Sequence, residues 1–320
     1  MTEELKASIA LWGPPRSGKT AMLAALPVAA NAQGWTVVGS STGAFGDLTR
    51  TMIEEHKFNE ATRVASDHTI VFRGDARLSD GTIERIMVRV SMRDVPGEAY
   101  NPPRRVADYA GPQQSAAGPS ASGTLDKQLQ DLVDHLAGCD ALVFTFDPTR
   151  QASSGDTMTY LNDVLARLAH TMQEKGNYTD YLPQRLAVCV TKYDDYDVFA
   201  KARRAGFGTQ DAQPPHLPRV RREHAGEFFR WLCEDDPDTH NAADVRAALL
   251  AYFKPGRIDY FVVSAVGFGL HDGRFDPDHD FSIVEPVPDG VTKITGKIRP
   301  VNVIEPFEWL AARMLEEQRA

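Results

Sequence analysis

The feature that most constrains this chain is the segment GPPRSGKT at residues 13–20, which directly follows an apolar run at residues 7–12. The run predicts a buried strand, and the pattern G-x-x-x-x-G-K-T is typical of a loop whose backbone N–H groups point at phosphate oxygens. The side chain of Lys19 would reach the outer phosphates, and the Thr20 hydroxyl would bind Mg²⁺. The predicted phosphate-binding residues are Gly13, Pro14, Pro15, Arg16, Ser17, Gly18, Lys19, Thr20 and Ala21. We therefore expect a nucleoside-phosphate site.

A second motif indicates which base is bound. The apolar run at residues 186–190 leads directly into Thr191-Lys192-Tyr193-Asp194, which matches the pattern T-K-x-D. The Asp194 carboxylate can accept hydrogen bonds from both N1–H and N2–H₂ of guanine, while the Lys192 stem covers the ring. Adenine has no such donor pair. A four-residue match alone is equally typical of a solvated turn, so the motif favours guanine only together with the phosphate-binding loop.

A third motif, D-x-x-G, follows the strand pattern at residues 86–93. Asp94 stands where a carboxylate can order Mg²⁺ through a bound water. Gly97 places a backbone N–H where a γ-phosphate oxygen would lie, and a side chain there would obstruct the phosphate. These positions predict a metal-binding Asp94 and a phosphate-binding Gly97.

A fourth segment, Ser264-Ala265-Val266, follows the strand pattern at residues 260–263. A backbone amide in this turn can donate a hydrogen bond to guanine O6. The match carries almost no information alone, but it comes in the expected order after the other three.

Taken in this order, the four motifs resemble those of P-loop GTPases of the translation-factor and Ras-like (TRAFAC) class, over roughly residues 5–315. The sequence D-x-P-G-E at residues 94–98 and the run at residues 299–303 are similar to the prokaryotic double-GTPase group, which is often associated with defence or signalling gene clusters. The resemblance implies binding of GTP and GDP with Mg²⁺. It also implies slow hydrolysis and a conformational switch.

The same resemblance implies a threonine that closes over Mg²⁺ and the γ-phosphate in the triphosphate state. There are two candidates: Thr62 lies ahead of the second core strand pattern, and Thr69 begins it. We prefer Thr62, because Thr69 is the first residue of a strand pattern and β-branched residues commonly form strands. Another loop residue remains an alternative.

Catalysis in such proteins consists of positioning and charge stabilisation. Ras-like members have a glutamine after the D-x-x-G glycine, and this chain has Glu98. Its carboxylate can orient the attacking water, but its charge near the γ-phosphate predicts slow turnover; alternatively, Glu98 only begins a helix as a favourable acidic residue. Arg16, Arg104 and Arg105 are candidates for the compensating cation, although surface arginines without such a role are more common.

Alternating strand and helix patterns predict an α/β fold, a doubly wound and mostly parallel sheet with helices on both faces. The turn Asp80-Gly81 predicts one antiparallel hairpin. We expect one expanded domain over residues 1–320, with a core at 5–194 and 257–318, an insertion at about 195–256 and a mobile loop at about 110–124. A short strand at 35–39 and a helix at 44–56 are predicted as further additions.

The predicted insertion contains a basic group with few acidic residues nearby in sequence. Its members are Lys201, Arg203, Arg204, Arg219, Arg221 and Arg222. A solvated basic face is the commoner meaning of such a group, and a surface for an acidic protein, membrane or nucleic acid is the alternative. The acidic segment around Asp276 and His279 lacks the glycine and glutamate spacing of a calcium loop and predicts a surface loop.

Composition favours an ordinary cytoplasmic globular enzyme. The chain has 320 residues, 42% of them hydrophobic and 25% charged. Three cysteines, an odd number, argue against a disulfide framework. No apolar run is long enough to span a membrane, and no signal-peptide pattern begins the chain. A net charge of −9 argues against nucleic acid as a partner. The expected partners are a guanine nucleotide and an unknown effector or activator, for which a second GTPase and a second copy of this chain are candidates.

Two other classes of function stay open at the level of sequence. A nucleotide-dependent scaffold would bind GTP without useful hydrolysis, and Glu98 in place of glutamine supports it. A P-loop ATPase or small-molecule kinase would make the T-K-x-D match accidental. Fold alone does not separate these classes.

Overall fold

The structure is a computed structural model that describes residues 6–40, 42–58, 66–94, 120–239, 242–286 and 292–319. Several predicted site residues lie outside these ranges. They are Thr62, Gly97, Glu98, Arg104 and Arg105.

A seven-stranded sheet forms the centre of the molecule, in the order β2-β3-β4-β1-β5-β6-β9. Its strands are β1 (Lys6–Trp12), β2 (Thr36–Ser40), β3 (Ser66–Arg77), β4 (Ile83–Asp94), β5 (Ala141–Phe146), β6 (Arg185–Val190) and β9 (Ile258–Val262). The neighbours β4, β1, β5, β6 and β9 are parallel, whereas β3 is antiparallel to both β4 and β2. The predicted doubly wound, mostly parallel sheet is confirmed.

Helices cover both faces of this sheet. They are α1 (Lys19–Ala32), α2 (Thr42–Ile53), α3 (Ser120–Ala137), α4 (Pro148–Ser154), α5 (Thr157–Glu174), α6 (Tyr196–Arg204), α7 (Arg222–Glu234), α8 (Ala242–Tyr252) and α9 (Glu305–Arg319). One apolar core joins α1, α2 and α9 to the sheet, and a second joins α3, α5, α7 and α8 to the opposite face. All six residues of β5 are buried, as expected for a central parallel strand covered on both sides.

In the described parts of the chain, four short strands lie outside the central sheet and form two separate pairs. They are β7 (Gly208–Gln210) with β8 (Pro218–Val220), and β10 (Val284–Pro286) with β11 (Thr292–Ile294). The pair β7–β8 belongs to the predicted insertion.

The hairpin predicted at Asp80-Gly81 is present between β3 and β4. Gly81 has φ +85°, a left-handed conformation that glycine adopts without steric cost, and the Leu78 N–H donates to the Thr82 carbonyl at 2.8 Å. β3 then alternates inward apolar and outward polar residues. Thr69 lies inside β3, three residues after its start, rather than in a preceding loop.

Two expectations on local structure need correction. The loop predicted at about 110–124 ends earlier, because α3 begins at Ser120, while residues 110–119 lie outside the described ranges. The seven-residue helix α4 was not predicted. Two turns are too short for a helical hydrophobic period to appear in the sequence.

The sequence shows few acidic residues near the basic group of the insertion, but the fold brings carboxylates into contact with it. Lys201 forms a buried ion pair with Asp236, and Arg222 pairs with Asp259. Arg219 pairs with Asp211 at 2.7 Å. Asp211 and Asp236 lie within the insertion and Asp259 lies just beyond it, so the basic residues do not form one uncompensated patch. Arg221 is exposed.

Two further expectations concern cysteines and membranes. The free cysteines are Cys139, Cys189 and Cys233, of which the last two are buried thiols. Among the helices that the structure describes, none has the length and apolar character needed to cross a membrane.

Candidate functional site

The predicted motifs meet at one edge of the sheet. β1, β4, β5, β6 and β9 run parallel, so their carboxyl ends lie at the same edge. In open α/β sheets, ligands bind at this edge. The phosphate-binding loop follows β1, Asp94 ends β4, the T-K-x-D motif follows β6, and Ser264 lies two residues beyond β9.

The loop at residues 13–20 has a tightly determined conformation. Gly13 has φ +151°, and a Cβ there would lie 2.2 Å from Thr145 Oγ1, so no larger residue fits without movement of β5. Thr145 Oγ1 donates to the Trp12 carbonyl at 3.2 Å and therefore accepts from Ser17 Oγ at 2.6 Å. Arg16 has φ +61° and an exposed side chain. The neighbouring strand β5 thus fixes the start and the middle of the loop.

Lys19 is the first residue of α1 and is 8% exposed. Its ammonium donates to the Pro14 carbonyl across the loop at 2.9 Å, and no carboxylate among the described residues forms an ion pair with it. Burial lowers the pKa of Lys19, Asp94 opposes this effect, and Arg150 adds to the lowering. A buried ammonium beside the N-terminus of a helix favours an anionic ligand.

Thr20 and Asp94 supply adjacent oxygen atoms. Thr20 Oγ1 donates to Asp94 Oδ2 at 3.4 Å, and the Asp94 side chain is buried at the end of β4. Hydroxyl and carboxylate oxygens are ligands that Mg²⁺ accepts, usually together with waters and substrate phosphates. The residues present therefore fit this ion.

The T-K-x-D motif is joined directly to the phosphate-binding loop. Thr191 Oγ1 lies 2.9 Å from the Ser17 carbonyl oxygen and 3.1 Å from the Phe146 carbonyl oxygen, so its one O–H is shared between these acceptors, of which Ser17 is the nearer. Gly18 lies beside the same threonine: a Cβ there would meet the Thr191 side chain at 3.6 Å. Residues 174 positions apart in the chain are thus held in contact.

Lys192 and Asp194 have different surroundings. Lys192 has φ +58°, and its ammonium lies 2.6 Å from Asp147 Oδ2. Asp194 Oδ1 accepts from Ser264 Oγ at 2.5 Å, and burial raises the pKa of Asp194 to about 6. Ser264 links the fourth motif to the second, so both sides of the predicted base site are in contact.

Backbone hydrogen bonds to the segment that precedes α9 fix the turn at residues 264–266. The Ser264 N–H donates to the Val301 carbonyl at 3.0 Å, and the Arg299 N–H donates to the Val266 carbonyl at 2.8 Å. Gly267 has φ +78°, and a Cβ there would lie 1.9 Å from the Arg299 carbonyl oxygen. The turn is therefore fixed by close backbone contacts rather than by its own sequence.

Sequence reasoning missed Asp147, which connects two parts of this site. Its Oδ1 accepts from the backbone N–H groups of Thr149 and Arg150, which caps α4, while Oδ2 pairs with Lys192. The sequence Asp147-Pro148 after a buried strand is the signature of an N-cap followed by proline at the first helical position. That signal could have identified the cap, although not its pairing with Lys192.

Comparisons with known proteins add little to this geometry. No protein-family model and no curated protein matches the sequence. Among solved structures, the chain is similar to Sup35 complexed with GMPPNP and to Sup35 complexed with GDP, each at 12% identity and a TM-score of 0.31. The matches cover 82% and 83% of this chain and 38% of the Sup35 chain. A TM-score of 0.31 is too low to assign a function from these proteins.

Proposed function

We propose that this protein binds GTP with Mg²⁺, hydrolyses it slowly to GDP and phosphate, and changes conformation between the two nucleotide states. The observation that carries the proposal is the direct hydrogen bond from Thr191 to the Ser17 carbonyl. It joins a phosphate-binding loop to a guanine-recognition motif, at the sheet edge where nucleotides bind in α/β folds. Either motif alone would be weaker support.

In this proposal the phosphates lie against the N-terminus of α1, surrounded by the backbone of residues 13–21. Lys19 exchanges its contact with the Pro14 carbonyl for one with a phosphate oxygen, which gives its buried charge a counter-ion. The phosphate-binding role of Gly97 belongs to the same proposal. Support comes from the burial of Lys19 and from the lack of an ion pair for it within the described residues.

Thr20, Asp94 and Thr62 would hold the Mg²⁺ ion, with Asp94 acting through a water. When bound, the ion neutralises charge on the phosphate oxygens. The contact between Thr20 and Asp94 supports two of these three assignments. Thr62 rests on the sequence alone.

Guanine would bind between Asp194, the Lys192 stem and the turn containing Ala265. The Asp194 carboxylate accepts from N1–H and N2–H₂, and the turn donates a backbone N–H to O6. Ser264 orients this carboxylate, and Asp147 keeps the Lys192 ammonium at one end of the site. Val266 contributes its backbone to the guanine site, and the Arg299 N–H fixes that backbone by donating to the Val266 carbonyl.

Hydrolysis requires an oriented water and compensation of the charge that develops on the phosphate. We assign Glu98 to the water, with Lys19 and Arg16 as cations. A carboxylate near the γ-phosphate makes slow intrinsic turnover the expected behaviour. The order of the four motifs supports membership of the TRAFAC class, and the sequence D-x-P-G-E supports the double-GTPase group within it.

Phosphate release tests this function. Purified protein with Mg²⁺ is given GTP or ATP, and Lys19→Ala controls for contaminating enzymes. Release from GTP alone that disappears in the variant is the expected result. Equal release from ATP would replace the GTPase with an ATPase or kinase. Tight GTP binding without release would leave a scaffold, or a switch that needs a partner's catalytic group.

A further inference from the structure

Arg150 lies beside the phosphate-binding loop but belongs to none of the four motifs. It is in the first turn of α4, directly after β5, the strand that neighbours β1. Thr145 in β5 bonds to Ser17 of the loop, and Asp147 caps the helix that carries Arg150. The backbone of Arg150 is therefore tied to the phosphate end of the site through its own strand.

The guanidinium of Arg150 is fixed by one carboxylate. Nε donates to Asp156 Oδ1 at 3.1 Å, and Nη2 pairs with Asp156 Oδ2. The Arg150 side chain is 17% exposed. Arginine has five N–H donors, and this pairing uses two of them. Within the described parts of the chain, the structure gives no partner for Nη1.

Two buried or half-buried cations thus lie at the same edge of the sheet, in the first turns that follow the neighbouring strands β1 and β5. The charge of Arg150 acts on Lys19, whose ammonium has only a neutral carbonyl as its hydrogen-bond partner among the described residues. Asp156 offsets the charge of Arg150 and Asp94 acts against the effect of Arg150 on Lys19, so a phosphate placed here would be a further counter-ion shared by both cations. The N-terminus of α1 adds positive partial charge at the same edge.

Arg16 is a weaker candidate than Arg150 for a cation that contacts the phosphate. Its side chain is exposed, so a phosphate contact would cost the conformational entropy of a long side chain. Asp156 has already restricted Arg150, and a guanidinium that is ordered before the substrate arrives loses less entropy on binding.

We propose that Arg150 is a catalytic residue, whose free N–H groups contact the terminal phosphate of GTP while Asp156 keeps the guanidinium in position. This inference rests on the proposed function. In hydrolysis, water forms the new P–O bond, the bond to the GDP oxygen breaks, and one proton is released. Arg150 stays protonated throughout and stabilises the charge on the transferred phosphoryl group. Such an arginine, supplied by the chain itself, favours GTP over GDP because only GTP has the third phosphate.

The test compares affinities for the non-hydrolysable analogue GMPPNP and for GDP, both with Mg²⁺. In Arg150→Ala we expect affinity for GMPPNP to fall by about 10- to 100-fold, and affinity for GDP by less than about 3-fold. The rate of GTP hydrolysis should fall by about 100- to 1,000-fold. Arg150→Lys should recover only part of the loss, because lysine lacks the planar fork.

Two further variants separate this role from a structural one. Asp156→Ala breaks the same ion pair but keeps the arginine, so its loss of GMPPNP preference should be smaller than that of Arg150→Ala. Arg246→Ala removes a comparable ion pair, with Glu234, and should change neither affinity. Thermal unfolding of all four variants identifies any that fail to fold.

The outcomes separate the two proposals. If the wild type binds both nucleotides and Arg150→Ala weakens them equally or not at all, the role of Arg150 is wrong and the proposed function stands. Losses in both variants that affect GMPPNP and GDP alike would assign the pair to structure alone. If the wild type binds neither guanine nucleotide, the proposed function fails, and the role of Arg150 fails with it.

Discussion

At the scale of single residues, Asp194 is the residue to which we assign the selectivity for guanine. It is surrounded by protein, and this burial raises its pKa to about 6, although the hydrogen bond that it accepts from Ser264 opposes the shift. The sequence alone predicted the residue and its two acceptor oxygens. It did not predict the shifted pKa, because the burial comes from segments far along the chain.

The shifted pKa predicts a pH dependence of nucleotide binding. Below about pH 6 the Asp194 carboxyl of the free protein is protonated, and a neutral carboxyl cannot accept from both guanine donors as a carboxylate does. GDP affinity should therefore be constant above about pH 7 and fall by about tenfold per pH unit well below 6. Titrations of GDP between pH 5 and 8 measure this. Constant affinity across that range would contradict the assignment.

Asp194→Asn should change the base that is bound. An amide offers one acceptor and one donor, so it matches N1–H and the C2 carbonyl of xanthine but opposes N2–H₂ of guanine. We expect GDP affinity to fall by about 100-fold or more, with xanthosine diphosphate becoming the better ligand. Asp195→Asn is the matched control, because Asp195 caps α6 and asparagine also caps helices. An Asp194→Asn protein that retained its GDP affinity would disprove the base assignment.

At the scale of elements, the segment before α9 supports the base site. Asn302 has φ +53°, donates to the Val262 carbonyl at 2.9 Å, and accepts from Arg219 Nη1 at 2.6 Å. Asparagine tolerates this left-handed conformation better than most residues. One side chain therefore connects the end of β9 to β8 of the predicted insertion.

Asn302→Ala should weaken this support. It removes two hydrogen bonds and leaves a residue with a Cβ at positive φ, for a loss of about 2–3 kcal/mol in the free energy of unfolding. GDP affinity should fall by about tenfold, because the segment that hydrogen-bonds to the Ser264 turn is no longer fixed by Asn302. Asn302→Gly keeps the backbone conformation and isolates the hydrogen-bond loss. Urea unfolding and GDP titration test both variants, and unchanged values in Asn302→Ala would exclude this support.

A buried ion pair stabilises the predicted insertion. Lys201 Nζ lies 2.5 Å from Asp236 Oδ2, and the Asp236 side chain is fully buried. Asp236→Ala would leave the buried ammonium with only the exposed Asp238 carboxylate, 3.5 Å away, so we expect a loss of about 3 kcal/mol in unfolding free energy. Asp235→Ala, at the adjacent exposed carboxylate, should cost less than about 1 kcal/mol. Similar losses in both variants would show that the pair does not stabilise the insertion.

The helices and strands also show which features could be predicted from the sequence and which could not. Apolar runs located β1 and β6 well, because strands covered on both faces are largely apolar. Besides the pairing of Asp147 with Lys192, the missed features include the helix α4 and the pairing of Lys201 with Asp236. The helix is only seven residues long, and the pair joins residues 35 positions apart. Composition near a residue does not report which carboxylates the fold brings to it.

At the scale of the whole molecule, the candidate site connects most of the sheet. It draws on the ends of five parallel strands and on segments from residue 13 to residue 266. A ligand that contacts all of them stabilises only the folded chain. The order of the motifs predicted this arrangement, because parallel strands in an α/β fold bring their carboxyl ends to one edge.

Nucleotide should therefore stabilise the whole fold. Mg²⁺ and GDP at 100 times the dissociation constant should raise the free energy of unfolding by about 2.7 kcal/mol, and ADP at the same concentration should not. Thermal unfolding with each nucleotide measures the difference. Lys19→Ala should lose most of the GDP effect, and an equal shift with ADP would contradict guanine selectivity.

The most direct measurement is the displacement of a fluorescent GDP derivative from the wild-type protein by unlabelled GDP and ADP, with Mg²⁺ present. The account predicts that GDP displaces it at a concentration at least about 100-fold lower than ADP, since adenine lacks the two donors that Asp194 accepts. Lys19→Ala should bind the derivative weakly or not at all. Equal displacement by ADP, or no binding of the derivative by the wild type, would contradict the assignment of this site to a guanine nucleotide.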